Sequence, residues 1–196
     1  GAVFDGHEFA LEAAKKASVL VISKDVAGLE GTAATVIKVE NTRYAMAFIS
    51  AAYFGYPAEK LKVIGVTGTK GKTTTTYLVK SILENAGYKV GLIGTIETII
   101  GKTHIPASNT TPESYVLQSY LAQMVEAGLE AVVMEVSSQG LKLHRTQGMV
   151  CDFGIFTNFS AYLPSIHFRH HHIQDNKCNI FYHQESVNCL FSIFSL

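Results

Sequence analysis

From residue 61 onward, hydrophobic and polar positions alternate between two patterns. Short runs dominated by apolar residues, 61–66, 89–94, 131–136 and 152–156, read as strands buried on both faces. Between them, apolar residues recur at helical spacing. One such segment opens at Lys72 and runs to Ala86, with Gly87 as its stop. A second is expected to have Thr111 as N-cap, Pro112 as its first residue, Glu113 in its first turn and Gly128 at its end. A polar turn is expected around Gly101 and Lys102. This alternation predicts right-handed crossovers and an α/β fold, a mostly parallel P-loop-type sheet with helices on both faces. Upstream, 8–16 reads as a helix, and 19–23 and 35–39 read as strands of a small α/β unit. These three elements bury little surface for a whole domain, so the unit is expected to be partial. Asn41 is placed as the N-cap of a helix reaching Phe54, closed by Gly55 and Pro57. After Ser160 no helical period or turn chemistry organises the chain.

Composition narrows the picture. With 47% hydrophobic and 16% charged residues, the 196-residue chain can bury a core. Its formal net charge of +0 gives no field to draw it to nucleic acid or anionic lipid. No segment approaches the roughly 18 uninterrupted apolar residues that a helical membrane span needs. Cys151, Cys178 and Cys189 are an odd count without paired spacing, which argues against a disulfide framework and fits a reducing cytoplasm. No internal repeat is visible.

The chemistry concentrates where strands end. The run 61–66 feeds Thr67-Gly68-Thr69-Lys70-Gly71-Lys72-Thr73-Thr74, a Gly-rich turn opening a helix. That is the layout of a triphosphate-binding loop, and Gly68 and Gly71 let successive N–H groups converge on phosphate oxygens. The following helix adds unpaired N–H groups and the positive end of its dipole. Lys72 is placed on the β- and γ-phosphates, and the Thr73 hydroxyl on Mg²⁺. The strict pattern wants Gly at position 66; this chain has Val66, with Gly65 one residue early. The plain alternative is a Gly-rich turn with no ligand. Glu135 closes an apolar strand one β-α unit downstream, so its carboxylate is expected beside the phosphates as a Mg²⁺ ligand, or else in a structural salt bridge. Asn109 and Thr110 add more polar groups than helix capping needs, and the Arg145 guanidinium suits a carboxylate. Arg169-His170-His171-His172 can bind a metal, but without zinc-site spacing it reads better as an adventitious tail.

These blocks together resemble the Mur ligases. The loop Gly68–Thr74, Asn109-Thr110-Thr111-Pro112-Glu113, Met134-Glu135-Val136-Ser137-Ser138-Gln139-Gly140-Leu141, His144-Arg145 and Phe156-Thr157-Asn158 carry the likeness. Upstream, Asp5-Gly6-His7-Glu8-Phe9 is similar to the family's uridine-nucleotide domain. The order and spacing look most like the MurE type, which adds the third amino acid to UDP-N-acetylmuramoyl-dipeptide, and the likeness runs to about Ser160. It implies a reaction in which ATP phosphorylates a substrate carboxylate and an amine attacks the acyl phosphate. It implies ATP on Gly68, Thr69, Lys70, Gly71, Lys72, Thr73 and Thr74, Mg²⁺ on Thr73 and Glu135, and catalytic roles for Lys72 and Glu135. It further implies the UDP-substrate on Asn109, Thr110, Thr111, Ser137 and Arg145, with uridine contacts around Asp5 to His7. Leu143 stands where many relatives carry a polar residue, so one substrate contact is expected to be missing. The family's second metal site fares worse. Tyr162-Leu163 replace its Asp-His, while His167 and Lys177 fall at plausible offsets. Lys177 reads equally as the family's carbamylated catalytic lysine or as a surface lysine.

The organisation implied is a partial UDP-binding domain at 1–40, a linker helix at 41–60, an incomplete ATP-binding domain at 61–160 and an aberrant tail at 161–196. The chain is thus expected to be a cytoplasmic monomer that meets UDP-N-acetylmuramoyl-dipeptide and an amino acid, and an incomplete ligase with little activity alone. The alternatives are a P-loop kinase or ATPase, a folylpolyglutamate- or cyanophycin-synthetase-type ligase, and a non-enzymatic nucleotide-binding fragment.

Overall fold

The computed structural model describes residues 5–158 and the backbone of 188–192. The chain divides into two compact units, Gly1–Ala45 and Met46–Leu196. In the first, a 3-10 turn, Gly6–Phe9, leads into α1 (Ala10–Ala14), and β1 (Val19–Ile22) pairs in parallel with β2 (Thr35–Lys38). The single helix expected over 8–16 is shorter and begins as a 3-10 turn. Asp5 causes this, because its Oδ1 accepts the His7 N–H at 3.1 Å and tightens the first turn. Ala10, Ala14, Ile22, Leu29 and Ala34 form this unit's core.

The helix α2 (Thr42–Tyr53) begins where expected, with Asn41 Oδ1 accepting the N–H groups of Arg43 at 2.9 Å and Tyr44 at 3.1 Å. The division between units falls inside it. Beyond it lies a seven-stranded sheet of β3 (Lys62–Thr67), β4 (Val90–Ile93), β5 (Glu97–Ile100), β6 (Thr103–Pro106), β7 (Ala131–Glu135), β8 (Phe153–Phe156) and β9 (Asn188–Ser192). Its order is β6-β5-β4-β7-β3-β8-β9. From β4 to β9 all neighbours are parallel, whereas β4–β5 and β5–β6 are antiparallel. The sequence reading holds for the parallel strands β3, β4, β7 and β8. It missed the β5–β6 hairpin, of which it saw only the turn at Gly101, and it placed no element where β9 lies. Among the described residues α3 (Lys72–Asn85), α4 (Ser114–Glu126) and α5 (Ser138–Lys142) accompany the sheet.

The two-residue period of a strand assigns each face. Val63, Val132, Met134 and Val136 pack with Leu117, Leu121 and Met124 of α4. Ile64, Val66, Ala131 and Val133 pack on the opposite face with Val79 and Leu83 of α3. Glu135 follows the parity of Ala131 and Val133, so its side chain belongs to the α3 face, and the register sets it opposite Val66 at the end of β3. Asp152 pins the far ends of the strands, accepting the Val63 N–H at 2.9 Å and Lys62 Nζ at 2.8 Å. Among the described residues no helix is long and apolar enough to cross a membrane.

Candidate nucleotide and substrate site

Gly65, one position early for the strict loop pattern, has a packing role inside β3. A Cβ there would lie 2.9 Å from Cys151 Sγ and 3.4 Å from Val136 Cγ2. The loop itself turns at Gly68 (φ 142°) and at Gly71 (φ 80°), which is the N-cap of α3. β8 holds the loop shut. Thr157 N–H donates to Thr67 O at 2.9 Å and Thr157 Oγ1 to Lys70 O at 2.7 Å. Asn158 accepts the Thr69 N–H on its carbonyl at 2.9 Å and the Lys70 N–H on Oδ1 at 3.0 Å, while its Nδ2 donates to Lys70 O at 3.0 Å. A Cβ on Gly68 would overlap Thr157 Oγ1. The amides of Thr69 and Lys70 are thus used within the protein. Thr75 N–H is bonded to Gly71 O at 2.9 Å, and the earlier N–H groups of α3 remain as its anion-facing end.

Lys72 bends back over this loop, with Nζ donating to Gly68 O at 3.1 Å. Burial pushes its ammonium below the usual lysine range, and the charge of Glu135 opposes that shift. Glu135 itself is only 1% exposed. Its Oε1 accepts the Thr95 N–H at 2.9 Å and its Oε2 the Thr95 hydroxyl at 3.1 Å. Gly94 permits this approach, since a Cβ there would lie 2.8 Å from Oε1. Among the described residues no ion pair joins Lys72 to Glu135. Beyond α3, Tyr77 Oη donates to Glu97 Oε1 at 2.8 Å, and His104 Nδ1 lies 2.7 Å from Glu97 Oε2. Those two bonds, His104 first, hold the Glu97 carboxyl below its ordinary range. Burial and then Glu97 push the Tyr77 phenol up to about 12.

Next to Glu135 lies a cavity of about 300 Å³. Asn109, Thr110, Ser137 and Arg145 line it, as the sequence suggests, together with Thr95 and Gln139, which it did not single out. Thr111 is different. It is buried, its hydroxyl donates to Glu135 O at 2.9 Å, and the same oxygen accepts the Ser137 N–H at 2.9 Å. With its hydroxyl committed to the end of β7, Thr111 does not cap α4. The helix begins at Ser114, Glu113 is its N-cap in extended conformation, and Pro112 precedes it. Ser137 caps α5 instead, its Oγ accepting the Gly140 N–H at 3.0 Å. Arg145 donates from Nη1 to Thr111 O at 2.9 Å and from Nη2 to Glu113 Oε1 at 2.5 Å, while its buried Nε has no partner among the described residues. One arm of the guanidinium is thus paired with a carboxylate of its own chain and the other with a backbone carbonyl.

In the first unit, His7 Nε2 accepts the Ser23 N–H at 2.9 Å, so its proton sits on Nδ1, 2.6 Å from Asp5 Oδ1. Lys24 also pairs with Asp5, and this pairing, ahead of the His7 bonds, holds the Asp5 carboxyl well below the usual carboxylate range. Tyr162, Leu163, His167, the run 169–172 and Lys177 lie outside the described residues.

A strand, a loop cornered by two glycines and a helix N-terminus on a mostly parallel sheet, with a carboxylate on the neighbouring strand, define an α/β domain of the P-loop class. Comparison with known proteins makes this specific. The chain belongs to the Mur ligase family, whose middle domain matches residues 66–194. That match continues past Ser160, where the sequence reading had ended the resemblance. The UDP-N-acetylmuramoyl-L-alanyl-D-glutamate–2,6-diaminopimelate ligase of Clostridium perfringens (strain 13 / Type A) is 51% identical over 157 residues, covering 80% of this chain and 32% of that protein. The ligase of the same name from Clostridium tetani (strain Massachusetts / E88) is 43% identical over 194 residues, covering 96% and 39%. This chain thus spans about a third of the length of the curated relatives it matches. A solved structure of a ligase so named superposes with a TM-score of 0.77 at 25% identity, over 89% of this chain and 35% of that one. E. coli FolC in complex with DHPP and ADP shares the fold, with a TM-score of 0.54 at 23% identity over 71% and 39%.

Proposed function

We propose that this chain forms the ATP-binding core of a peptidoglycan-synthesis ligase that joins an amino acid to UDP-N-acetylmuramoyl-dipeptide in the cytoplasm. The observation that carries the reading is the closed loop under β8. It leaves the N-terminus of α3 open, with Lys72 and Glu135 on one face of the sheet. The names of the relatives support 2,6-diaminopimelate as the amino acid.

In this reading the first N–H groups of α3 and the Lys72 ammonium take the β- and γ-phosphates of ATP. The donor set also fits a magnesium ion, because Glu135 spends one lone pair of each oxygen on Thr95 and keeps hard oxygen capacity on the α3 face, and Thr73, in the first turn of α3, would add its hydroxyl. When bound, the ion neutralises charge on the transferring phosphoryl group. The protein's own residues position and exclude water rather than attack. The γ-phosphoryl passes to the substrate carboxylate and ADP leaves; the amine then displaces phosphate from the acyl phosphate to give the amide. Asn109, Thr110 and Ser137 hold the UDP-substrate in the cavity, and Arg145 presents its guanidinium there with Glu113 as counter-charge. Thr111 supports that wall from behind.

Isothermal titration with ATP–Mg²⁺ tests the reading. The folded chain binds, and Lys72→Ala weakens binding by about tenfold or more, as expected for loss of a charge-assisted contact worth about 1.5–3 kcal/mol. Absent binding, or equal binding by the variant, rejects it. Competition by UDP-N-acetylmuramoyl-dipeptide over unrelated carboxylates separates this ligase from a P-loop kinase on the same loop.

A further inference from the structure

One residue stands between the phosphate-facing carboxylate and the substrate cavity. Thr95 is the second residue past β4 and reaches Glu135 twice, through its N–H to Oε1 at 2.9 Å and its hydroxyl to Oε2 at 3.1 Å. Among the described residues it supplies both hydrogen bonds that this buried carboxylate accepts. The same Thr95 Oγ1 lies 3.1 Å from Thr110 Oγ1, and both threonines line the cavity. A hydroxyl has one proton, and of the two acceptors the carboxylate is the stronger. The Thr95 proton therefore goes to Glu135, and Thr110 donates to Thr95. The hydrogen bonds run in one direction, from cavity wall to carboxylate. Each donor in such a chain is polarised by the one before it.

We infer that Thr95 is a positioning residue linking the two sites: it fixes both oxygens of Glu135 and receives the Thr110 hydroxyl that faces the cavity. This inference rests on the reading of Glu135 as a magnesium-facing group. Two features favour it over simple structural support. Thr95 is exposed beside the cavity, where a threonine has water available and no need of a carboxylate. Gly94, moreover, removes the one Cβ that would keep Glu135 Oε1 away from the Thr95 amide. A cavity occupant that donates to Thr110 Oγ1 strengthens the bond onward to Thr95 and thereby holds Glu135 in one rotamer. Losing the Thr95 hydroxyl frees one oxygen of Glu135 while leaving the loop and Lys72 intact.

The test is isothermal titration of ATP into the full chain, with and without Mg²⁺, for the unaltered protein, Thr95→Val, Thr95→Ala and Thr95→Ser. A hydrogen bond to a charged group sets the expected scale at about tenfold. Thr95→Val and Thr95→Ala weaken ATP binding by that factor in Mg²⁺ and by less than about twofold without it, and Thr95→Ser restores it. In a Glu135→Gln background Thr95→Val has no further effect, because it acts through the carboxylate. Far-UV circular dichroism checks folding, and Thr95→Ala adds no bulk if the valine is not accommodated. Equal Mg²⁺ dependence in Val, Ala and unaltered protein overturns the inference, as does a serine that fails to rescue or an additive effect with Glu135→Gln. Failure of the unaltered, folded chain to bind ATP–Mg²⁺ at all overturns the proposed function and this inference with it, an outcome visible before any variant is measured.

Discussion

Gly68→Ala asks whether β8 holds the phosphate loop shut. The native φ of 142° lies in a region that glycine alone occupies readily. An added methyl would overlap Thr157 Oγ1 and stand 3.0 Å from Asn158 N and 3.1 Å from Asn158 O. Thr157 cannot step aside without releasing Lys70 O at 2.7 Å and Thr67 O at 3.3 Å. The backbone conformation costs about 1–3 kcal/mol for a residue with a side chain, and each lost hydrogen bond adds about 0.5–1.5 kcal/mol. One such bond gives a total of roughly 2–4 kcal/mol, a large part of the 5–15 kcal/mol that typically stabilises a domain. Gly71→Ala is the control. Its φ of 80° is also left-handed, but nothing lies within 4 Å of the added Cβ, so only about 1–2 kcal/mol of backbone penalty applies. Urea denaturation followed by circular dichroism gives both stabilities, and titration with ATP–Mg²⁺ shows whether the loop survives. Removing the obstructing oxygen in Gly68→Ala/Thr157→Ala recovers part of the loss, with an interaction energy of about 0.5–3 kcal/mol. Equal losses at Gly68 and Gly71, with no coupling to Thr157, would refute the clamp.

Three further outcomes follow from the same geometry. Burial holds the Lys72 ammonium below its ordinary value, so the folded protein binds fewer protons than the unfolded chain as pH approaches 10.5; stability therefore rises with pH between the lowered value and 10.5, and urea midpoints should show this rise in the unaltered protein but not in Lys72→Met. For Tyr77 the sign is opposite: its folded value, about 12, exceeds the ordinary 10.0, so its stabilising contribution is intact below pH 10 and lost as pH climbs toward 12, and phenolate absorbance should show a late-titrating component that Tyr77→Phe removes. Gly65→Ala crowds Cys151 Sγ at 2.9 Å and should cost about 1–3 kcal/mol in urea denaturation, a loss that Cys151→Ala partly relieves.

The sequence made the parallel half of the sheet readable because its strands are short runs dominated by apolar residues, a pattern that propensity and burial both favour. The hairpin β5–β6 escaped because Glu97–Ile100 and Thr103–Pro106 are four residues each and mix polar with apolar positions around Gly101. At the site, Gly68, Gly71, Lys72 and Glu135 were legible because each has chemistry that strand-end placement makes specific. Thr111 misled because Thr-Pro-Glu fits a helix start, yet the hydroxyl found stronger employment at the end of β7, 24 residues away. The cavity places Asn109, Thr110, Ser137 and Arg145 together, but nothing local in the sequence announces that Glu113 would pair with Arg145. Thr95 was visible in principle. It is the second residue past β4, and asking what stands at the carboxyl end of every strand beside β7 would have found it.

Strand order explains why such distant residues meet. The middle of the sheet runs β4-β7-β3-β8, all parallel, so four carboxyl ends stand side by side. Thr95, Glu135, the loop after Thr67 and the pair Thr157-Asn158 occupy those ends in that spatial order. The bonds that assemble the site span 40 residues from Thr95 to Glu135 and 88 from Lys70 to Asn158, yet each joins neighbours across a strand spacing. A site built on flexible loops would have to order those segments when its ligands arrive. Here the apolar faces of β3 and β7, packed against α3 on one side and α4 on the other, fix the positions beforehand. The loss expected from a substitution at the carboxyl ends therefore depends less on the side chain's own contact with ligand than on which neighbouring strand end it holds, and Gly68, Thr95 and Thr157, which carry no charge, rank beside Lys72 and Glu135 for that reason.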